Sequence, residues 1–304
     1  MAEEVWMLQT KKADFKQIGA RFRIDPVTAR IIRNRGIEGE AAIDRYLNGT
    51  LDDLYDPMLL KDMERAVSIL CEAVDTGKKI RIVGDYDIDG VCSTYILLQA
   101  FERLGSDVDF EIPDRIKDGY GINESIIEQA HADGVEVILT CDNGISAFHQ
   151  VELAKKYGMT VVITDHHEVP LDGEKEKIPP ADAVIDPKQA DCPYPFPEIC
   201  GAVVAYKLVQ VLYARRGVPQ MEWLDLLEFA AIATVGDVMK LQDENRILVK
   251  YGLKKMAQTK NLGLRRLAEK NNLDLGAITA YHIGFVIGPC LNAGGRLKTA
   301  KEAL

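Results

Sequence analysis

Carboxylates and imidazoles gather in three short runs of this chain: Gly84-Asp85-Tyr86-Asp87-Ile88-Asp89-Gly90, Thr140-Cys141-Asp142-Asn143-Gly144 and Thr164-Asp165-His166-His167. Close carboxylates repel, and one of such a pair ordinarily takes up a proton. A divalent cation removes that conflict. Oxygen ligands joined by imidazole suit manganese, magnesium or zinc. Two such ions held ~3.5–4 Å apart form a clamp for phosphoryl transfer. A fourth acid, Asp237, ends an apolar helical run, Ala230–Val238. Near the C-terminus, Ile287–Leu297 reads as a Gly-rich loop that offers backbone amides to a phosphate, with Arg296 as a forked donor.

Each motif has a plainer reading. Asp-x-Asp-x-Asp-Gly also opens an EF-hand loop, but the twelfth position counted from Asp85 is Ile96, not Glu, and a strand precedes the motif. Asp142-Asn143-Gly144 alone could be a turn. Adjacent histidines point in different directions, so His166-His167 alone could be incidental. Asp237 could be a turn residue or the N-cap of a following helix. Three such runs at successive strand ends outweigh the separate readings.

The elements that position them are read from periodicity. Strands are expected at Ile80–Val83, near Val108–Ile112, and at Val135–Leu139, Thr160–Ile163 and Ala183–Ile185. Helices are expected over Val91–Leu104, Ser125–Ala132 and Ala147–Tyr157, and from Ala202 onward. Strands alternating with helices mean βαβ units and a largely parallel sheet flanked by helices, an α/β fold. Ligands of such sheets sit beyond the carboxyl ends of the strands, where all three runs fall. Residues 1–60 read as a helical N-terminal segment, with Asp25-Pro26-Val27 as an N-cap and first turn. Residues 61–304 read as the catalytic domain, helical in its C-terminal part and ending in the start of a linker helix.

The bulk properties bound the answer. The chain has 304 residues and a formal net charge of −10. Phosphate binders tend to be basic, but many acids here cluster where they could hold metal, and Arg30–Arg35 is a local basic cluster. The six cysteines lack zinc-finger spacing and read as reduced thiols. No apolar run is long enough for a membrane span, and the acidic N-terminus has no signal-peptide core, so a cytoplasmic location is the expectation.

As a set, the acidic runs, Gly236-Asp237 and Gly288-Pro289-Cys290-Leu291-Asn292-Ala293-Gly294-Gly295-Arg296 resemble the DHH phosphoesterases in order and spacing. The Asp-Tyr-Asp-x-Asp-Gly form and Tyr194-Pro195-Phe196 ahead of Gly201-Ala202 resemble the RecJ-like branch, whose members degrade single-stranded DNA. The resemblance implies a 5′-to-3′ exonuclease of DNA repair and recombination with two ions, manganese or magnesium. Asp87 and Asp142, with Asp85 beside them, would hold one ion. Asp89, Asp142, His166 and Asp237 would hold the other. His167 would face the scissile phosphate, Asp165 would orient an imidazole, and Asn292 and Arg296 would contact phosphate. The attacking water would be activated by the cations. The partners implied are single-stranded DNA and, by family analogy, a helicase or a single-strand-binding protein, with no membrane. Small-substrate relatives place a His ahead of the first Asp pair, where this chain has an acidic run. RecJ-like proteins continue into a second domain with a Gly-Gly-His motif that clamps the strand. That motif does not occur here, so the chain reads as a catalytic core. Cys290 stands where some relatives carry Arg, which puts one phosphate contact in doubt.

Overall fold

Short β-branched runs dominate the middle of the chain, and most of them form strands buried on both faces. The computed structural model describes residue 7 and residues 11–114, 119–297 and 299–304, and for residues 296 and 297 the backbone alone. Contacts divide the chain into two units, Met1–Leu54 and Tyr55–Leu304.

The first unit contains α1 (Phe15–Phe22), α2 (Pro26–Asn34) and α3 (Glu40–Asn48). The Asp25 carboxylate caps α2 by accepting from the Val27 amide at 2.7 Å, and Pro26 takes the first position, where no donor is needed. Ile32, Ile37, Ile43 and Tyr46 form its buried core, packed by Ile18 and Phe22. Part of the basic cluster is used locally: Arg30 lies over the Phe15 ring, and Arg33 pairs with Glu38.

The second unit opens with α4 (Met63–Asp75), then β1 (Ile80–Val83), α5 (Ile88–Arg103), β2 (Val108–Glu111), α6 (Glu124–Ala132), β3 (Val137–Cys141), α7 (Phe148–Lys156) and β4 (Thr160–Thr164). A small antiparallel hairpin, β5 (Leu171–Asp172) with β6 (Lys175–Glu176), precedes β7 (Ala183–Ile185). The main sheet is parallel throughout, in the order β2-β1-β3-β4-β7. The chain therefore steps from β1 to one side and from β3 to the other, which makes the β1–β3 gap the switch point where a ligand crevice opens. On one face Ile138, Val161, Ile163 and Val184 pack with Ile127 and Ala130 of α6 and with Val151 and Ala154 of α7. On β3 and β4 packs α8 (Gly201–Arg215), which also packs against α5. Then come α9 (Gln220–Leu224), α10 (Leu227–Gly236), α11 (Asp243–Met256), α12 (Leu262–Lys270), α13 (Ala280–His282), a π-helical turn Ile283–Ile287, and α14 (Gly288–Leu297).

The largest differences from the periodicity reading lie at β3, at the start of α5 and around residue 290. Val135 and Glu136 are not in β3. The Val135 amide closes α6 by donating to the Ala130 carbonyl, so the strand begins at Val137 and extends to Cys141. The region around residue 290 is a helix, as taken up below. Of the cysteines, all free, Cys92, Cys141 and Cys200 are buried and Cys290 is exposed. No helix among the described residues is long and apolar enough to cross a membrane.

One buried ion pair ties this unit together. Lys207 of α8 and Glu244 of α11 lie 3.0 Å apart, with side chains 1% and 0% exposed. Lys207 also donates to the Tyr55 carbonyl at 3.1 Å, and the Tyr194 hydroxyl donates to Glu244. Removing one partner of such a pair strands a buried charge, at a cost of about 3–5 kcal/mol. Lys207→Met is expected to destabilise by that amount in urea unfolding. Adding Glu244→Gln to it should recover part of the loss.

Candidate metal centre

The first acidic run turns sharply from β1 into α5. A Cβ at Gly84 would lie 2.0 Å from the Thr94 hydroxyl, so only glycine fits there. The Asp87 carboxylate caps α5 by accepting from the amides of Asp89 at 2.9 Å and Gly90 at 3.0 Å. The helix therefore begins at Ile88, not at Val91 as the periodicity indicated, and Asp89 sits in its first turn. Both Asp89 oxygens accept from the first amides of α8, Gly201 at 2.6 Å and Ala202 at 2.8 Å. A helix N-terminus favours an anion, so α8 holds this carboxylate in one orientation and leaves its other lone pairs for a cation.

At the end of β3, Asp142 adopts φ +60°, a left-handed conformation that Asp tolerates better than most residues. Asn143 fastens this turn. Its amide donates to the carbonyls of Val83 at 3.0 Å and Cys141 at 2.9 Å, and its oxygen accepts from the Ile122 amide at 3.1 Å. The ends of β1 and β3 are thus stapled across the switch point. Gly201 presses against Asp142: a Cβ there would meet the Asp142 Cβ at 2.7 Å. Gly201→Ala is therefore expected to shift Asp142 and to weaken Mn2+ binding by roughly 10–100-fold, the range for disturbing a ligand's support. Titration calorimetry checks this.

At the end of β4, the Asp165 carboxylate is surrounded by donors. One oxygen accepts from the His166 amide at 2.7 Å and from His167 Nδ1 at 2.7 Å, and the other accepts from the Ile145 amide at 2.9 Å. Burial pushes this carboxyl up, but the His167 hydrogen bond and charge outweigh it, and the group ends below the usual carboxylate range. Asp165 thus orients His167. The same contact overcomes burial to hold the His167 imidazole above its ordinary pKa. His166 turns the other way. Its Nε2 lies 3.1 Å from Asp142, 3.4 Å from Asp89 and 3.8 Å from Asp237. Burial, only partly opposed by the Asp89 charge, lowers its pKa, so a neutral imidazole faces three carboxylates.

Asp237 is the C-cap of α10 and not the start of the next helix. It completes the second of three groups whose ligand atoms lie within 4.8 Å of one another: Asp85, Asp87 and Asp142; Asp89, His166 and Asp237; Asp142, His166 and His167. Asp142 and His166 are each shared between two of them. Burial first, and neighbouring carboxylates second, push Asp85 and Asp237 up to about 7. Asp87 is raised for the same reasons, and Asp142 is raised well above its ordinary value. No Lys or Arg forms an ion pair with these acids among the described residues. The donor set is hard oxygen plus neutral imidazole, with uncompensated negative charge. That is the chemistry which fits divalent manganese or magnesium.

The segment expected to be a Gly-rich loop is instead a helix, α14. Its glycines serve packing. Gly288 and Gly295 lie two turns apart on one face, and a Cβ would come within 3.3 Å of the Ile88 side chain at Gly288 and within 3.0 Å of the Tyr86 carbonyl at Gly295. Helix α14 thus lies along the first acidic run, and amides committed to a helix ladder are not free to cradle a phosphate. Asn292 is half-buried on α14, and its Oδ1 has no hydrogen-bond partner among the described residues. The Arg296 side chain lies outside the described residues.

Three features here had no role assigned from the sequence. Asn143 was seen as a motif member, but its stapling is tertiary. The Tyr120 hydroxyl donates to the Asp142 carbonyl at 2.8 Å and lies 3.2 Å from His167 Nε2. Asp186, fully buried at the end of β7, is pushed up to about 7 by burial and then by the Asp165 charge. The Asp186-Pro187 step after a strand was the only local signal for that residue.

Residues 79–234 match the family model described as the DHH family, N-terminal domain. The chain is 37% identical to the single-stranded-DNA-specific exonuclease RecJ of Bacillus subtilis (strain 168), over 98% of this chain and 37% of that protein. It is 36% identical to the RecJ of Escherichia coli (strain K12), over 90% of this chain and 48% of that protein. The crystal structure of RecJ in complex with Mn2+ from Thermus thermophilus superimposes with a TM-score of 0.77 at 31% identity, covering 95% of this chain and 40% of that one. The chain thus spans less than half the length of these curated relatives. With its sheet order, its acidic strand ends and a family model matched over half its length, the chain belongs to the DHH family.

Proposed function

We propose that this chain is the catalytic core, from about residue 61 onward, of a metal-dependent enzyme that hydrolyses phosphodiester bonds of single-stranded DNA and releases nucleotides from the 5′ end. The observation that carries the reading is the convergence of five carboxylates and an imidazole at the β1–β3 switch point, in groups that share Asp142 and His166. Asp85, Asp87 and Asp142 would hold one manganese or magnesium ion, and Asp89, Asp142, His166 and Asp237 the other. Bound there, the cations supply positive charge to the phosphate oxygens and make water a stronger acid.

The chain's own residues do the rest. Asp165 accepts the Nδ1 proton of His167 and favours the imidazolium, and that doubly protonated ring donates from Nε2 to a non-bridging oxygen or to the leaving group. Through its amides, α8 keeps Asp89 aimed inward. Asn292 and Arg296, on the helix that lies along the acidic run, contact substrate phosphate. Choice of single-stranded DNA, the 5′ polarity, and a cytoplasmic role in repair and recombination beside a helicase or single-strand-binding protein rest on the likeness to the RecJ exonucleases. The acidic net charge fits this reading, because the carboxylates that oppose a phosphate are those the cations neutralise.

The test is hydrolysis of 5′- and 3′-end-labelled single-stranded DNA with Mn2+, Mg2+ or EDTA. Cation-dependent release of mononucleotides from the 5′ end is the expected result. Hydrolysis confined to dinucleotides or pyrophosphate would overturn the substrate assignment.

A further inference from the structure

Away from the metal centre, a cavity of about 260 Å³ opens between the middle of α5, the start of α10 and the segment that joins α11 to α12. Its walls include none of the residues assigned to the cations or to phosphate. Glu228 lines it from the first turn of α10, and Asp237 caps that helix roughly 14 Å further along. Two groups in the walls have hydrogen-bonding capacity that the chain does not use. Glu228 is 3% exposed. Its Oε1 accepts from the Thr259 hydroxyl at 2.7 Å, and its Oε2 has no hydrogen-bond partner among the described residues. The Tyr95 hydroxyl accepts from the Asn261 side-chain amide at 2.9 Å, and among the described residues nothing accepts the Tyr95 proton. A buried acceptor left without a donor costs free energy. The cations of the wall are already committed, since Lys255 and Lys260 both pair with Asp225.

We propose that this cavity is a second binding site, for a small neutral ring that carries an N–H beside a carbonyl, as a pyrimidine of the uracil type does. The N–H donates to Glu228 Oε2, and the carbonyl accepts from the Tyr95 hydroxyl, so one ligand edge satisfies both open groups. Leu226 and the Tyr95 ring supply apolar wall. A cavity needs only ~10–15 Å³ to hold one water, so the space is many times what one solvent molecule requires. It lies just below the roughly 300–1,000 Å³ of pockets for drug-sized ligands, which suits a single ring. An anion is the wrong occupant, because it would meet the Glu228 carboxyl and would have to take a lysine from Asp225. A free cation is wrong as well, because both lysines lie in the wall. The site stands apart from the metal centre and does not rest on the function proposed above.

The experiment measures binding of 1-methyluracil, 1,3-dimethyluracil, inorganic phosphate and methylammonium by titration calorimetry. Wild type is compared with Tyr95→Phe, which removes the donor, and Glu228→Leu, which removes the acceptor and leaves no buried charge behind. 1-Methyluracil is expected to bind wild type. 1,3-Dimethyluracil, which lacks the N–H, should bind about tenfold more weakly or worse. Each substitution should weaken 1-methyluracil binding by about tenfold or more. Mn2+ affinity should be unchanged in both variants, because neither residue lines the metal centre. Absence of 1-methyluracil binding to folded wild type would overturn the assignment. Equal binding of the two uracils would also overturn it, and so would binding that neither substitution disturbs. Phosphate or methylammonium binding that Tyr95→Phe and Glu228→Leu weaken, in place of the uracil, would replace the neutral ring by an ion. Should Glu228→Leu fail to fold, the loss in Tyr95→Phe decides alone.

Discussion

Asp142→Ala is expected to abolish DNA hydrolysis and, in the same protein, to raise the stability of the cation-free fold. Asp142 is 2% exposed, accepts no hydrogen bond from a cationic side chain among the described residues, and faces Asp87, Asp89 and His166. Burial first, then the charges of Asp89 and Asp87, hold its carboxyl well above the ordinary range. Removing it relieves that repulsion when no cation is present. With cations, the same change removes the one carboxylate common to both proposed sites. Charge stabilisation by such ions is worth several kcal/mol, so activity should fall by about 1,000-fold or more. The paired readout separates the proposal from simple unfolding: a destabilised Asp142→Ala protein would be inactive for a trivial reason. Wild-type activity in the variant would sink the shared-ligand assignment. Hydrolysis is followed with end-labelled strand, and stability by urea unfolding in EDTA.

The sheet was readable because most of its strands are short β-branched runs, and because the acidic residues follow those runs directly. Asp85, Asp142 and Asp165 had to fall at one edge of a parallel sheet once the strands were placed. What the sequence hid is what depends on distant partners. Asp89 is held by amides 112 and 113 residues away. Nothing near Asp89 marks it as an anion at a helix N-terminus. Tyr120 reaches Asp142 and His167 from a loop without periodicity. Asp87 serves as a helix cap as well as a cluster member, so the helix it starts swallowed part of the motif.

The glycines of residues 288–295 carry the opposite lesson. Composition favoured a loop, because glycine is costly inside a helix by about 1 kcal/mol. Tertiary packing reverses the argument: a Cβ on α14 would press to 3.0 Å from the Tyr86 carbonyl and 3.3 Å from the Ile88 side chain, tighter than side chains ordinarily sit. Spacing, more than count, was the available signal, since Gly288 and Gly295 share a helix face. Pro289 stands just after the π-helical turn Ile283–Ile287, where the regular helix ladder is already interrupted and its missing donor costs little.

In EDTA, stability is expected to fall as pH rises from about 5 to 8, and Mn2+ is expected to restore it most at the alkaline end. Asp85 and Asp237 are pushed up to about 7, and Asp87 and Asp142 are also raised. Unfolded, these carboxyls titrate near 3.9. The folded chain therefore holds more protons than the unfolded one between about pH 4 and 7. A group raised on folding contributes stability that is fully present below its unfolded pKa and is lost as pH climbs through its folded pKa. His167, also raised, adds to the loss, whereas His166, lowered, opposes it. Asp165 is lowered, and its contribution disappears only when pH falls well into the acid range. One carboxyl displaced by about two units is worth roughly 2.6 kcal/mol. Allowing for mutual coupling and the partial exposure of Asp237, the four together should cost about 3 kcal/mol, a Tm decrease of roughly 6–12 °C for a domain of this size. Cations compete with protons for the same oxygens, so binding strengthens as the carboxyls ionise. At 100 times its Kd, Mn2+ adds about 2.7 kcal/mol. Thermal unfolding at pH 5 and pH 8, with EDTA and with Mn2+, gives the four values needed. A Tm in EDTA that rises from pH 5 to pH 8 would mean that the carboxylates are not gathered in the folded chain as described.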